Sequence, residues 1–179
     1  MRGRETAAAA EVIRHALAYA DVLYNLARWL EHDPGQAEDL VQETYARALG
    51  AAERFEPGSN LKAWLCTILR HVHLDRRRRS RNAPGVTELE DQPALDESSA
   101  QAAAELGPEQ IRALVAEEVA TAVHELPEAF RTVILLDLEG LTEKEMASVL
   151  DCPPGTVKSK LSRARAELRR RLAEHGSRG

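Results

Sequence analysis

Residues 142–165 run Thr142-Glu143-Lys144-Glu145-Met146-Ala147-Ser148-Val149-Leu150-Asp151-Cys152-Pro153-Pro154-Gly155-Thr156-Val157-Lys158-Ser159-Lys160-Leu161-Ser162-Arg163-Ala164-Arg165. Thr142 and Glu145 stand at the spacing of a capping box, in which each side chain bonds the other residue's backbone N–H. Met146, Ala147 and Leu150 form the apolar side of the short helix that follows. Asp151 to Gly155 reads as a tight turn. Val157, Leu161, Ala164, Leu168 and Leu172 then recur at helical period, so a second amphipathic helix follows the turn. A capped helix, a turn and a basic helix make a helix-turn-helix, a unit that lays its second helix in the DNA major groove.

The outward side of that second helix begins with Lys158, Ser159, Ser162 and Arg163. Lysine and arginine match the acceptors on guanine, and serine can serve several bases. Lys160, Arg165 and the later arginines suit phosphates. A plain surface helix of a bundle is the competing reading, since basic residues gather at helix C-termini. The unit alone does not separate a repressor from other DNA-binding proteins.

Upstream, Pro108 sits at a first-turn position. Ile111, Leu114, Val115, Val119, Ala122, Val123 and Leu126 mark a helix that Pro127 ends. Phe130, Val133, Ile134, Leu135 and Leu138 mark the next, closed by Gly140. Residues 108–175 therefore read as one small helical domain. Residues 83–107 read as a flexible acidic linker, rich in Pro, Gly and Ser and poor in large apolar residues. From Ala83 to Ile111 there are seven acids and no base.

Residues 15–82 read as a second small helical domain. Val22, Leu26, Trp29 and Leu30 form one stripe, broken at His32-Asp33-Pro34-Gly35. Leu40, Val41, Thr44, Tyr45, Ala48 and Leu49 form the next. Phe55-Glu56-Pro57-Gly58-Ser59 is a loop, with Ser59 or Asn60 available as an N-cap. Leu61, Trp64, Leu65, Ile68, Leu69 and Val72 give a third helix that runs into Asp75 to Arg81, where five arginines accompany one acid.

The fold class is therefore all-α: two small helical domains joined by a flexible acidic linker. Aromatics at 4% and the abundance of Ala, Leu, Glu and Arg agree with this, and no alternating strand-like run occurs. The net charge is −5, yet two basic segments flank an acidic one, and distribution outweighs the sum for a nucleic-acid binder. No apolar run reaches the length of a membrane span or a signal sequence, so a cytoplasmic protein without membrane insertion is expected. Cys66 and Cys152 show no CxxC spacing. Cys66 and His71 are five positions apart on a presumed helix, and His71 and His73 face different sides of it, which makes a poor metal site. No P-loop, metal constellation or nucleophile motif appears, so neither an enzyme nor a cofactor is expected.

Taken together, the segments resemble the extracytoplasmic-function (ECF) group of the sigma-70 family over about Tyr19 to His175. Asp33 with Ala37-Glu38-Asp39-Leu40-Val41-Gln42-Glu43-Thr44 is similar to the family's polymerase-docking helix. Phe55 with Asn60-Leu61-Lys62-Ala63-Trp64-Leu65, then Ile68 and Asp75-Arg76-Arg77, is similar to its promoter-melting segment. Leu126-Pro127-Glu128-Ala129-Phe130-Arg131 and Gly155 to Arg165 resemble the two ends of region 4. Three blocks in this order make a specific signal, and the spacing leaves no room for the extra central domain of larger sigma factors.

The resemblance implies an alternative sigma factor that binds core RNA polymerase, recognises minus-thirty-five and minus-ten elements and promotes DNA melting. Asp39, Leu40, Gln42 and Glu43 would meet the clamp coiled coil of the largest polymerase subunit, and the flap region is a further expected contact. Ser59 and Asn60 would hydrogen-bond flipped bases, while Lys62, Arg70, Arg76, Arg77, Arg78 and Arg79 would hold the backbone. Trp64 lies in the apolar stripe, which favours packing, with base stacking as the alternative. His71 stands where many family members carry Asn, which weakens any base contact assigned there. Thr156, Lys158, Ser159, Lys160, Ser162, Arg163 and Arg165 would form the minus-thirty-five contact set. An anti-sigma factor is an expected partner. A repressor using only the last domain would leave the N-terminal blocks unexplained, and a sigma mimic would have lost its basic recognition side.

Overall fold

The computed structural model describes residues 9–10, 12, 14–31, 33–82 and 117–176. The acidic segment 83–107 and the predicted helix start at Pro108 lie outside them. All regular structure among the described residues is helical. We label the helices α1 (Ala20–Glu31), α2 (Pro34–Gly50), α3 (Leu61–Asn82), α4 (Glu128–Leu138), α5 (Glu143–Leu150) and α6 (Pro154–Gly176). Short 3₁₀ turns, Ala16–Tyr19 and Ala52–Arg54, flank the first two. Residues 117–124 are also helical.

The break at Asp33 has a specific cause. Its carboxylate accepts from the Gln36 N–H at 2.8 Å, and Pro34 opens α2, so the chain turns into the new helix with its first donors satisfied. The inward row of α2 is Ala37, Leu40, Thr44 and Ala48. The Thr44 hydroxyl donates to the Leu40 carbonyl at 2.7 Å, so the one polar group in that row is satisfied locally. Leu49, expected in this stripe, is 53% exposed because it lies one residue beyond the inward row. The α1 stripe is also rotated: Leu23, Leu26 and Ala27 are buried, with Val22 and Leu30 at the margins.

Phe55, 2% exposed, anchors the loop between α2 and α3. Gly58 takes φ +85°, a conformation that only glycine adopts without strain. Asn60 rather than Ser59 caps α3, its side-chain oxygen accepting from the Ala63 N–H at 3.3 Å. Leu61, Leu65, Cys66, Leu69 and Val72 then fill the core. Burial pushes the Cys66 thiol up to about 12, so it packs as an unreactive hydrophobe. Trp64 is partly buried and rests on Phe55, ring centroids 5.3 Å apart, which places it in packing.

In the C-terminal half the helix-turn-helix forms as read. The Thr142 hydroxyl accepts from Glu145 N–H, and the Glu145 carboxylate accepts from Thr142 N–H at 2.7 Å. Thr142→Ala removes one arm of this box, and we expect a loss of about 1 kcal/mol. A thermal unfolding midpoint unchanged from wild type would refute that. The turn is shorter than the sequence predicts, since α6 begins at Pro154 rather than after Gly155. Proline fits there because a first-turn residue needs no N–H partner. Asp151, with φ 50°, supplies the left-handed residue that ends α5. Leu138, predicted in the α4 stripe, is 73% exposed, while Leu136 is buried in its place.

The two halves also pack on each other, which no sequence signal predicts. One continuous cluster of buried apolar side chains runs from Val12 to Ala164. Helix α3 lies against α5, and α1 lies against α4.

Candidate nucleic-acid interface

Val157, Leu161 and Ala164 are buried, and this fixes which side of α6 faces outward. Lys158, Ser159, Ser162 and Arg163 are all exposed on that outward side. The Ser159 hydroxyl donates to the Thr156 carbonyl at 3.0 Å, leaving its lone pairs to accept from a base amine. Thr156 itself is half-buried at the start of the helix.

The other basic residues of α6 are differently placed. Arg165 pairs with Asp137 of α4 at 2.6 Å. Arg170 pairs with Glu167 and Glu174, and Arg171 with Glu167 and Glu125. Arg170 and Arg171 thus serve internal networks, a correction to their reading as phosphate holders. Lys160 is half-buried and lines the groove between the two halves. The sequence does not distinguish these arginines from Arg163, because all of them recur on a basic helix. Only the neighbouring carboxylates do.

The promoter-melting set is brought together along α3 and the loop before it, but much of it is engaged by the C-terminal half. Asn60 donates to the Glu145 carboxylate at 2.7 Å. Lys62 donates to the Glu139 carbonyl. Arg70 reaches the Val149 carbonyl at 3.4 Å. Arg77 pairs with Glu128 at 2.5 Å. Ser59 bonds its own loop through the Glu56 carbonyl at 2.7 Å. His71, Arg78 and Arg79 are exposed. Bonds from Thr142 N–H, and then from Asn60, hold the Glu145 carboxyl below the usual carboxylate range. It is therefore charged at neutral pH and occupies the Asn60 amide as its hydrogen-bond acceptor.

Arg76 is not a spare backbone holder. It pairs with Glu43 at 2.8 Å and donates to the Asp39 carbonyl at 3.0 Å, stapling α3 to α2. Arg47 completes the staple, reaching Glu43 at 2.8 Å and Asp75 at 2.9 Å. Burial pushes the Glu43 carboxyl up, but Arg76 and Arg47 outweigh it and hold it low. Among the four residues read as polymerase-docking, Asp39 and Gln42 are exposed and Glu43 is committed to these arginines. Leu40 is 0% exposed and belongs to the core, which corrects its reading as a contact residue. Its place in the apolar stripe of α2 was the available signal.

Sequence reading missed His73, Glu128, Arg131 and Glu145 as junction residues. Arg131 donates to the Trp29 carbonyl at 3.1 Å and to the Leu126 carbonyl at 3.0 Å, joining α4 to α1. Cys66 and His73 are buried while His71 is exposed, and among the described residues no group of three or more His, Cys, Asp or Glu could hold a metal.

Residues 16–83 match the Sigma-70 region 2 family model, and residues 116–168 match Sigma-70, region 4. The chain is 39% identical over 154 residues to the ECF RNA polymerase sigma factor EcfG of Rhodopseudomonas palustris, covering 85% of this chain and 80% of that one. The chain belongs to the ECF sigma factors of the sigma-70 family. It is 37% identical over 137 residues to the ECF sigma factor SigC of Mycobacterium tuberculosis, covering 76% of this chain and 70% of that one. The sigma factor RpoE of Bartonella quintana, solved in complex with the anti-sigma factor NepR, superposes with a TM-score of 0.65. That match has 32% identity and covers 89% of this chain and 95% of the other. The protein is thus an alternative sigma factor for transcription initiation. As a sigma factor it recognises promoters and promotes their melting. No helix among its described residues is long and apolar enough to cross a membrane.

Proposed function

We propose that this sigma factor reads the minus-thirty-five element with the first two turns of α6 and traps the melted minus-ten strand along α3. The observation that carries the first role is the exposed quartet Lys158, Ser159, Ser162 and Arg163, held outward by buried Val157, Leu161 and Ala164. In the second role Ser59 and Asn60 take base edges, and Lys62, Arg70, Arg78 and Arg79 hold phosphates. Asn60, Lys62 and Arg70 are released from their present partners when the C-terminal half leaves α3. The domain assignment follows: residues 15–82 melt, residues 108–175 read, and residues 83–107 connect them.

The partners are core RNA polymerase and promoter DNA. An anti-sigma factor is a further partner, supported by the relative solved with NepR. The chain performs no reaction itself and needs no cofactor, since nucleotidyl transfer belongs to the polymerase. It works in the cytoplasm, where polymerase meets the chromosome.

The test is transcription in vitro with bacterial core polymerase on a genomic template library. Promoter-specific initiation that depends on the added chain supports the reading, and its absence on every template defeats it. Polymerase docking is tested with Asp39→Ala combined with Gln42→Ala, both exposed, the staple using only the backbone carbonyl of Asp39. Core affinity is expected to fall roughly tenfold or more, as loss of exposed charge-assisted bonds to an arginine-bearing surface would produce. Affinity within twofold of wild type, read by fluorescence anisotropy, would remove α2 from the polymerase contact.

A further inference from the structure

A cavity of about 310 Å³ lies at the junction of the two halves, lined by Leu26 and Leu30 of α1, Leu74 of α3, and Val149 and Leu150 of α5. His73 of α3 opens onto it and is 3% exposed. Its Nδ1 lies 2.8 Å from a Glu31 carboxylate oxygen of α1, within its own half. Its Nε2 is buried without a hydrogen-bond partner and faces a Glu128 carboxylate oxygen of α4 at 3.9 Å, across the junction. The other Glu128 oxygen pairs with Arg77 at 2.5 Å.

This geometry is tied to one protonation state. A carboxylate only accepts, so the bond to Glu31 requires the proton on Nδ1. A neutral ring would then aim the bare Nε2 lone pair at the Glu128 carboxylate. A doubly protonated ring presents N–H groups to both carboxylates. Moving α4 away would take Glu128 from Nε2 and give that atom to water. The closed arrangement therefore holds a proton that the open one releases more readily.

We propose that His73, Glu128 and Arg77 form a protonation-sensitive latch that keeps the region 4 helices over the promoter-melting face of α3. The latch closes when His73 is charged. Closure engages Asn60, Lys62 and Arg70 at the same time, because α4 and α5 both pack on α6. The consequence for promoter use rests on the reading of α3 given above, whereas the latch itself does not.

Burial alone would push His73 down, but Glu128 and Glu31 outweigh it and leave it above its ordinary value of 6.5. The His73 ring facing it at 3.9 Å, opposed by burial and helped by Arg77, holds Glu128 at about 2, so it stays charged throughout. A raised histidine stabilises the closed form fully below its ordinary value, and that contribution is lost as pH rises through the closed-state value. Other charges face the site as well: Glu31 from α1, Arg70 and Arg77 from α3, Arg131 from α4 and Lys160 from α6. His124, packed against Trp29 with ring centroids 5.0 Å apart, is a second histidine at the junction. A histidine variant is therefore needed to assign the transition.

The experiment uses the full chain without DNA or polymerase. Donor and acceptor dyes are placed at exposed Glu53 and Ala166, and energy transfer is followed from about pH 5.5 to about 8.5. Transfer should be high at low pH and fall in one step, with the closed-to-open ratio dropping by up to about tenfold per pH unit. Glu128→Gln keeps the side-chain shape at a half-exposed position, and it should lower transfer and flatten the profile. His73→Gln should also flatten it, and circular dichroism checks that its half still folds. If His73→Gln does not fold, Glu128→Gln alone decides. A flat wild-type profile overturns the latch, and so does an undiminished transition in Glu128→Gln or in folded His73→Gln. A protein that transcribes yet shows a flat profile overturns the latch and leaves its sigma function intact.

Discussion

Lys158→Ala combined with Arg163→Ala should reduce transcription from a minus-thirty-five-dependent promoter by roughly thirtyfold or more. Each side chain that contacts one base contributes about 1–3 kcal/mol, and every 1.4 kcal/mol is tenfold. Both residues are exposed, and neither belongs to the inward row of Val157, Leu161 and Ala164, so their truncation leaves the packing of α6 untouched. Alanine is also the best helix former, so the helix itself survives. The loss should therefore appear in promoter choice and not in thermal stability. Base readout and phosphate binding are separable by two measurements. A base contact relaxes preference at one position, whereas a phosphate contact weakens all sequences alike and lowers the salt slope by about one. Unchanged preference in both single variants would remove them from readout.

Leu40→Ala should lower the stability of the protein by about 2–5 kcal/mol, which is the usual cost of a buried leucine replaced by alanine. Leu40 is fully buried between exposed Asp39 and the polar end of the α2 surface, and Thr44 hydrogen-bonds to its carbonyl. Its removal leaves a cavity where α2 meets the rest of the N-terminal core. For a domain of this size each kcal/mol shifts the unfolding midpoint by roughly 4–8 °C, so a drop of about 10 °C or more is expected. Calorimetry or circular dichroism melts would measure it. A variant with the wild-type midpoint but lost polymerase affinity would return Leu40 to the contact surface.

The helix-turn-helix was legible because its determinants are local. The capping box spans four residues, the Asp151 turn and the proline pair follow directly, and the apolar period needs only its own helix. Pro127 and Gly140 marked breaks for the same reason. The errors are also physical. Leu49 and Leu138 continue an apolar run but fall outside the inward row, and a periodicity count cannot see where the neighbouring helix ends. Leu40 was taken for a contact because the resemblance implied the whole docking block, although its place in the apolar stripe with Val41 pointed inward. Arg76, Arg170 and Arg171 were grouped with DNA-contacting cations because a sequence shows a charge and not the carboxylate opposite it.

By itself the sequence determined the all-helical class, the capped helix and turn, and the basic quartet on the outward side of α6. It also pointed to the ECF sigma resemblance. Each of these depends on residues a few positions apart, where backbone geometry dictates which side chains share a face. Only the tertiary structure decided that the two halves close on one another. It also decided that Asn60 meets Glu145, Lys62 meets the Glu139 carbonyl and His73 meets Glu128. Those partners are 85, 77 and 55 residues apart in the chain, the last from position 73 to position 128. No local propensity spans such distances. Packing of the C-terminal helices against α1 and α3 selects the pairs.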